Sequence, residues 1–135
     1  MPQEHPDLVR SAYEAYNRRD VEGVMSRFDP DIDWHVPDSL AWGDHVRGLE
    51  AIGRFFEGLR PYMGDDHQVA IDELIDAGDR VVALVHHQGT PPGGDRYDVP
   101  AIMVWTVAGG KLSALYEQLD TLAMARATEG APAAT

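Results

Sequence analysis

The sequence predicts an α+β fold, helices first and an antiparallel sheet after them. Three observations point there. Apolar residues recur at helical spacing up to about Leu59. From Val69 onward they alternate with the two-residue period of strands. Those later segments are separated by turns of only a few residues, which makes consecutive strands antiparallel neighbours.

In chain order, His5-Pro6-Asp7 opens a first helix, with proline in the first turn and an acid favourable to the helix dipole. Leu8, Ala12, Ala15 and Tyr16 follow on one face. Asp20 is an N-cap for a second short helix predicted over 21–28, stopped by Asp29-Pro30-Asp31. Ile32, Trp34 and Val36 alternate with Asp33 and His35, so this stretch reads as a strand closed by Pro37. A loop is predicted over 38–48, carrying Trp42, Asp44 and His45. A third helix is predicted over 49–59, then a loop over 61–67. Four strands follow, predicted over 69–76, 80–90, 97–107 and 111–120, with turns at Ala77-Gly78-Asp79, Pro91-Pro92-Gly93-Gly94 and Ala108-Gly109-Gly110. Residues 1–122 form the one domain expected, and the small-residue run of 123–135 reads as a frayed tail.

Composition narrows the function. Of 135 residues, 44% are apolar and 25% charged, ordinary for a soluble globular chain. The formal net charge is -12, from 23 acidic and 11 basic residues, which disfavours nucleic acid and anionic membrane as partners. The absence of cysteine removes disulfides, thiolate nucleophiles and cysteine metal sites. No apolar signal segment or membrane-length run is visible, and a cytoplasmic location is expected. The six histidines are dispersed, and adjacent His86 and His87 face opposite sides of a strand, so no metal site is expected.

The punctuation resembles a known family. Tyr16-Asn17-Arg18-Arg19-Asp20 with Gly23 and Phe28 comes first, then Trp34-His35-Val36-Pro37. Gly48-Leu49-Glu50-Ala51-Ile52 leads into Phe55-Phe56, followed by Gly78-Asp79-Arg80-Val81-Val82, Gly89-Thr90 and Gly110-Lys111-Leu112. Together these resemble the SnoaL-like (polyketide cyclase-like) branch of the nuclear transport factor 2-like superfamily. The resemblance implies a cone: a curved antiparallel or mixed sheet closed by the N-terminal helices around a deep pocket. It spans polyketide cyclases, ketosteroid isomerases, epoxide hydrolases, dehydratases and proteins that only bind, so fold alone does not choose among them.

Placed on the ketosteroid isomerase pattern, Glu117 points inward between Leu115 and Leu119. Burial there disfavours the charged form of a carboxyl group and suits a general acid or base. The same placement turns His86 inward with Leu84 and Val82, and turns His87 outward; a one-residue bulge exchanges the two. A Glu117–His86 pair with Tyr16 holding an oxygen is the expected catalytic set. Trp34, Val36, Ala12, Met103 and Trp105 are expected to line the substrate pocket with Leu84, Leu115 and Leu119. Where ketosteroid isomerases carry a catalytic Asp, an oxyanion-hole Tyr and a protonated Asp, this chain has Val36, Ala12 and Met103.

The resemblance therefore implies a cofactor-independent cyclase, isomerase or dehydratase acting on a small, apolar, oxygenated metabolite such as a polyketide. A non-catalytic binding protein and an epoxide hydrolase remain alternatives. A homodimer is expected through the outer sheet face, assigned to Val81, Ala83, Val85 and His87.

Overall fold

A computed structural model describes residues 4–129. Helices α1 (Glu4–Asn17) and α2 (Val21–Ser26) precede strands β1 (Phe28–His35) and β2 (His45–Arg47). Helix α3 (Leu49–Met63) follows, then β3 (Gln68–Asp76), β4 (Arg80–Gly89), β5 (Tyr97–Ala108), β6 (Lys111–Leu119) and α4 (Thr121–Ala127). The six strands form one curved, mixed sheet in the order β2-β1-β6-β5-β4-β3, not closed into a barrel. Strand β1 runs parallel to β6, and every other pairing is antiparallel. Among the described residues no helix is long and apolar enough to cross a membrane.

The local chemistry accounts for most boundaries. Asp20 caps α2 by accepting the Gly23 amide at 2.9 Å. Phe28 opens β1 instead of closing α2, because Leu112 N donates to Arg27 O and draws this stretch onto β6. Strand β2 forms inside the predicted loop by pairing with β1, an edge pairing with no period of its own to read. Helix α3 runs past its predicted end through Pro61, whose missing N–H costs one bond in the last turn.

That last turn of α3 is seated closely on the sheet. The Tyr97 hydroxyl donates to Met63 O at 2.7 Å, and a Cβ at Gly89 would stand 2.7 Å from that hydroxyl. Only glycine allows this approach, which sets α3 as a lid over the sheet's concave face.

Register decides which residues face inward. Strand β4 pairs odd with odd against β5, Val81 opposite Trp105, Ala83 opposite Met103 and His87 opposite Val99. Strand β5 does the same against β6, with Met103 opposite Glu117 and Trp105 opposite Leu115. Paired residues share a face, so Met103 and Trp105 carry Ala83, Val85, His87, Leu115 and Glu117 inward with them. The register shift after Thr106 leaves Ser113 unpaired, a bulge that turns Leu112 inward although it shares parity with outward Tyr116.

The C-terminal reading needs correction. Where the sequence suggests fraying from Ala123, Asp120 accepts the Ala123 amide at 2.9 Å and α4 continues to Ala127. Met124 is the anchor, with no exposed surface. The remainder of the expected tail, 130–135, lies outside the described residues. Met124→Ala should lower stability by about 2–4 kcal/mol in urea unfolding, as expected for a buried methionine. A loss below about 0.5 kcal/mol, the range of ordinary surface substitutions, would show that α4 does not dock.

Candidate active site

Between the concave face and helices α1 to α3 lies a cavity of about 70 Å³. Its walls are mostly aromatic. Trp34 lies within 6 Å, centroid to centroid, of Phe28, Phe55, Phe56 and Trp105. Such mutually tilted rings fix one another's orientation, so the walls are preformed. Tyr13 closes one end, accepting from Trp105 Nε1 at 2.9 Å and donating to Met103 Sδ at 2.8 Å. Burial pushes the Tyr13 phenol well above its ordinary pKa, keeping it neutral.

One polar chain crosses this apolar space. Glu117 Oε2 lies 2.6 Å from His87 Nε2. His87 Nδ1 lies 2.9 Å from His67 Nε2, and the two rings stack. His67 Nδ1 lies 2.6 Å from the Tyr16 hydroxyl. Glu117, His87 and His67 are only 5%, 6% and 4% exposed.

The proton order follows from what each atom can do. With Glu117 as a carboxylate and both rings carrying one N–H, the consistent order has His87 Nε2–H donating to Glu117 and His87 Nδ1 left to accept. His67 Nε2–H donates to it, and His67 Nδ1 accepts from the Tyr16 hydroxyl. Burial is the main cause that holds the His67 pKa well below the ordinary imidazole value, which keeps it neutral. Burial likewise raises Tyr16 to about 12, which keeps its O–H in place as a donor. Two further groups bear on ligands. Among the described residues, Trp34 Nε1 is the buried side-chain atom left without a partner. Trp42, from the loop before β2, also reaches the cavity wall.

Of the residues the sequence nominated, Glu117, Tyr16, Trp34, Val36, Ala12, Met103, Trp105 and Leu115 line the cavity. Leu119 packs against the core but outside that lining. His86 and Leu84 are corrections. They occupy the opposite face of β4, because the β4–β5 register pairs odd positions with odd and Met103 already faces inward. His86 sits outside between Asp98 and Asp72, at 2.6 and 2.7 Å, and the hydrogen bond it donates to Asp98 leads the effects that raise its pKa. The strip Val81, Ala83, Val85 and His87 assigned to the outer face is buried within the cone. His35 does point away from the cavity, against His45 and Tyr116.

His67 was missed. It lies in the loop before β3, two residues ahead of inward Val69, and that even spacing was the available signal.

Comparisons with known proteins agree with the fold. A family model described as SnoaL-like domain matches residues 9–115. An uncharacterised protein of Mycobacterium tuberculosis is 25% identical over 111 residues, covering 82% of this chain and 85% of that one. The crystal structure of a nuclear transport factor 2-like protein of unknown function from Burkholderia pseudomallei is similar with a TM-score of 0.83 and 27% identity, over 93% of this chain and 98% of that one. TerC, co-crystallised with polyporic acid, is similar with a TM-score of 0.87 and 26% identity, over the same shares.

The depressed His67 pKa ties stability to pH. The unfolded chain protonates His67 near 6.5 while the folded chain resists, so this contribution is present above that pH and is lost as pH falls toward the folded value. The raised pKa of His86 acts oppositely: its contribution is present below 6.5 and is lost as pH rises through the folded value. Urea unfolding from pH 8 to about 5.5 should therefore show a smaller stability loss on acidification in His67→Gln than in the parent. Parallel curves would remove His67 as the cause.

Proposed function

The chain belongs to the SnoaL-like domain family, and from that premise we propose that it is a cofactor-independent acid/base enzyme of the cyclase, isomerase or dehydratase kind. Its substrate is a small, largely apolar, oxygenated metabolite. The observation that carries this reading is the buried Glu117–His87 pair, 2.6 Å apart, inside a cavity otherwise walled by aromatic and aliphatic groups. A carboxylate with one oxygen held by an imidazole has its other oxygen free to take a proton from carbon beside a carbonyl, or to return one to oxygen. His87 now fills the place His86 held in the sequence reading.

Substrate chemistry follows from the valences left open. The aromatic walls favour a flat apolar body. Trp34 Nε1 offers a donor for a carbonyl or hydroxyl oxygen. At about 70 Å³, against roughly 10–15 Å³ for one water, the cavity suits a compact molecule. The complex of TerC with polyporic acid supports an oxygenated small ligand and makes polyporic acid the first probe.

A homodimer through the outer sheet face remains part of the proposal, on different residues. Val82, Leu84, Ile102, Val104 and Tyr116 share that face, and Ile102 and Tyr116 are 47% and 46% exposed. Light scattering should give a dimer for the parent chain and a monomer for Ile102→Glu. A monomeric parent would contradict the assignment.

Catalysis is testable before the natural substrate is known. Enolisable ketones screened as cavity ligands by tryptophan fluorescence, with polyporic acid as competitor, are incubated in D2O and followed by mass. A bound ketone should gain deuterium beside its carbonyl, and Glu117→Gln should slow that gain by about 100-fold or more, the usual scale of general acid–base catalysis. His87→Ala should slow it while leaving binding within a few-fold. Ligands that bind without exchange would mark a pure binding protein.

A further inference from the structure

Glu117 and His87 account for the proposed chemistry, yet the hydrogen-bonded chain continues through two more side chains. We propose that His87, His67 and Tyr16 form a proton relay joining Glu117 in the substrate cavity to a second cavity that opens at the surface. This rests on the acid/base reading of Glu117 and adds how its proton is exchanged with solvent while the substrate is enclosed.

The second cavity, of about 40 Å³, lies where α1, α2 and α3 meet. Tyr16 and His67 line both cavities, whereas Glu117 and His87 line only the inner one. The outer cavity has a polar rim of exposed Arg19, Arg60 and Asp65, with Arg19 held by Asp65 O at 2.6 Å. Its volume and polar rim meet the needs of an ordered water. The inner cavity is lined mainly by apolar side chains, so an apolar substrate filling it would displace water from Glu117. The four side chains give the one unbroken polar route between the two spaces among the described residues, with links of 2.6, 2.9 and 2.6 Å.

The steps balance. In the resting order every donor points toward Glu117. One inward shift moves His87 Nε2–H to the carboxylate, His67 Nε2–H to His87 Nδ1, and the Tyr16 proton to His67 Nδ1. Tyr16 takes its replacement from water in the outer cavity, so the net change is one solvent proton delivered to Glu117. Every donor then points outward, the order needed to carry one proton back. A reaction that gives the substrate one proton and removes another returns the chain to its starting order.

The test needs no substrate. In the full chain with 15N-labelled histidine, NMR would assign the tautomers and follow ring N–H exchange with solvent. Both His67 and His87 should carry their proton on Nε2. The His87 ring proton should exchange at least tenfold faster than the neighbouring Val99 backbone amide, and Tyr16→Phe and His67→Gln should each cut that ratio at least tenfold. Reading a ratio to Val99 keeps a general loss of stability from imitating the result. Unchanged ratios in both variants, or His87 exchanging only as fast as Val99, would overturn the relay. Loss of ligand deuteration in Glu117→Gln is a separate readout, so the relay can fail while the acid/base reading stands.

Discussion

A carboxylate at 5% exposure is the constraint around which the inner architecture is arranged. An isolated charge in such surroundings costs many kcal/mol, so a partner must be brought to it. The partner is two strands away. His87 on β4 lies opposite Val99, and Glu117 on β6 lies opposite Met103, so the two must reach diagonally over β5 at Ala101. Ala101 is the small side chain between them, and any large residue there would stand in the path. Once His87 donates to Glu117, its other nitrogen needs a buried donor, and that need draws in His67. His67 poses the same need one step further out, and Tyr16 meets it. The chain ends where α1 reaches the second cavity, because there water can take over.

Much of the fold was legible because alternation and turn chemistry are local. Period two sorted each strand into two faces, while the cone and the choice of the face holding Glu117, Trp34 and Trp105 as the inner one came with the resemblance to the SnoaL-like family. What was not legible depended on pairing between strands. Taken alone, β4 has two plausible faces, since Val82-Leu84 and Val81-Ala83-Val85 are both apolar. The sequence did contain the tie-breaker: one face ends in His86 and Gln88, the other in His87 and Gly89, and the β5 residues already chosen as inward fix the parity once the hairpin register is known. The bulge at Ser113 had no such signal, since nothing in Leu112-Ser113-Ala114 marks an unpaired residue. Helix α4 was hidden because a single buried methionine anchors a seven-residue helix whose other large side chains, Leu122 and Arg126, stay exposed.

The correction from His86 to His87 alters more than a label. On the outer face His86 bridges Asp72 and Asp98, a half-exposed arrangement in which solvent screens the charges. On the inner face His87 meets a carboxylate with little water to compete, where each hydrogen bond is electrostatically stronger. Adjacent residues of one type thus serve different ends, and their positions on a pleated strand decide which. The outer sheet face also changes character, from the small Val81-Ala83-Val85 strip to a broader patch centred on Ile102, Val104 and Tyr116.

The cavity's polarity is lopsided, and that orients whatever enters. Tyr16, His67, His87 and Glu117 form one continuous polar line, while Trp34, Phe28, Phe55, Phe56 and Trp105 make an aromatic box whose rings brace one another. Val36, Ala12 and Met103 add only apolar surface to the rest of the lining, so the remaining walls offer no competing attraction. The proposed oxygenated apolar substrate would therefore lower its free energy by turning its flat body into the box and its reactive carbon toward Glu117. Among the described residues Trp34 Nε1–H is the buried side-chain donor that lacks a partner, so an acceptor oxygen that reached it would fix the molecule's rotation as well. Orientation is then set by burial and one hydrogen bond, which leaves the Glu117 oxygen not held by His87 free for the proton.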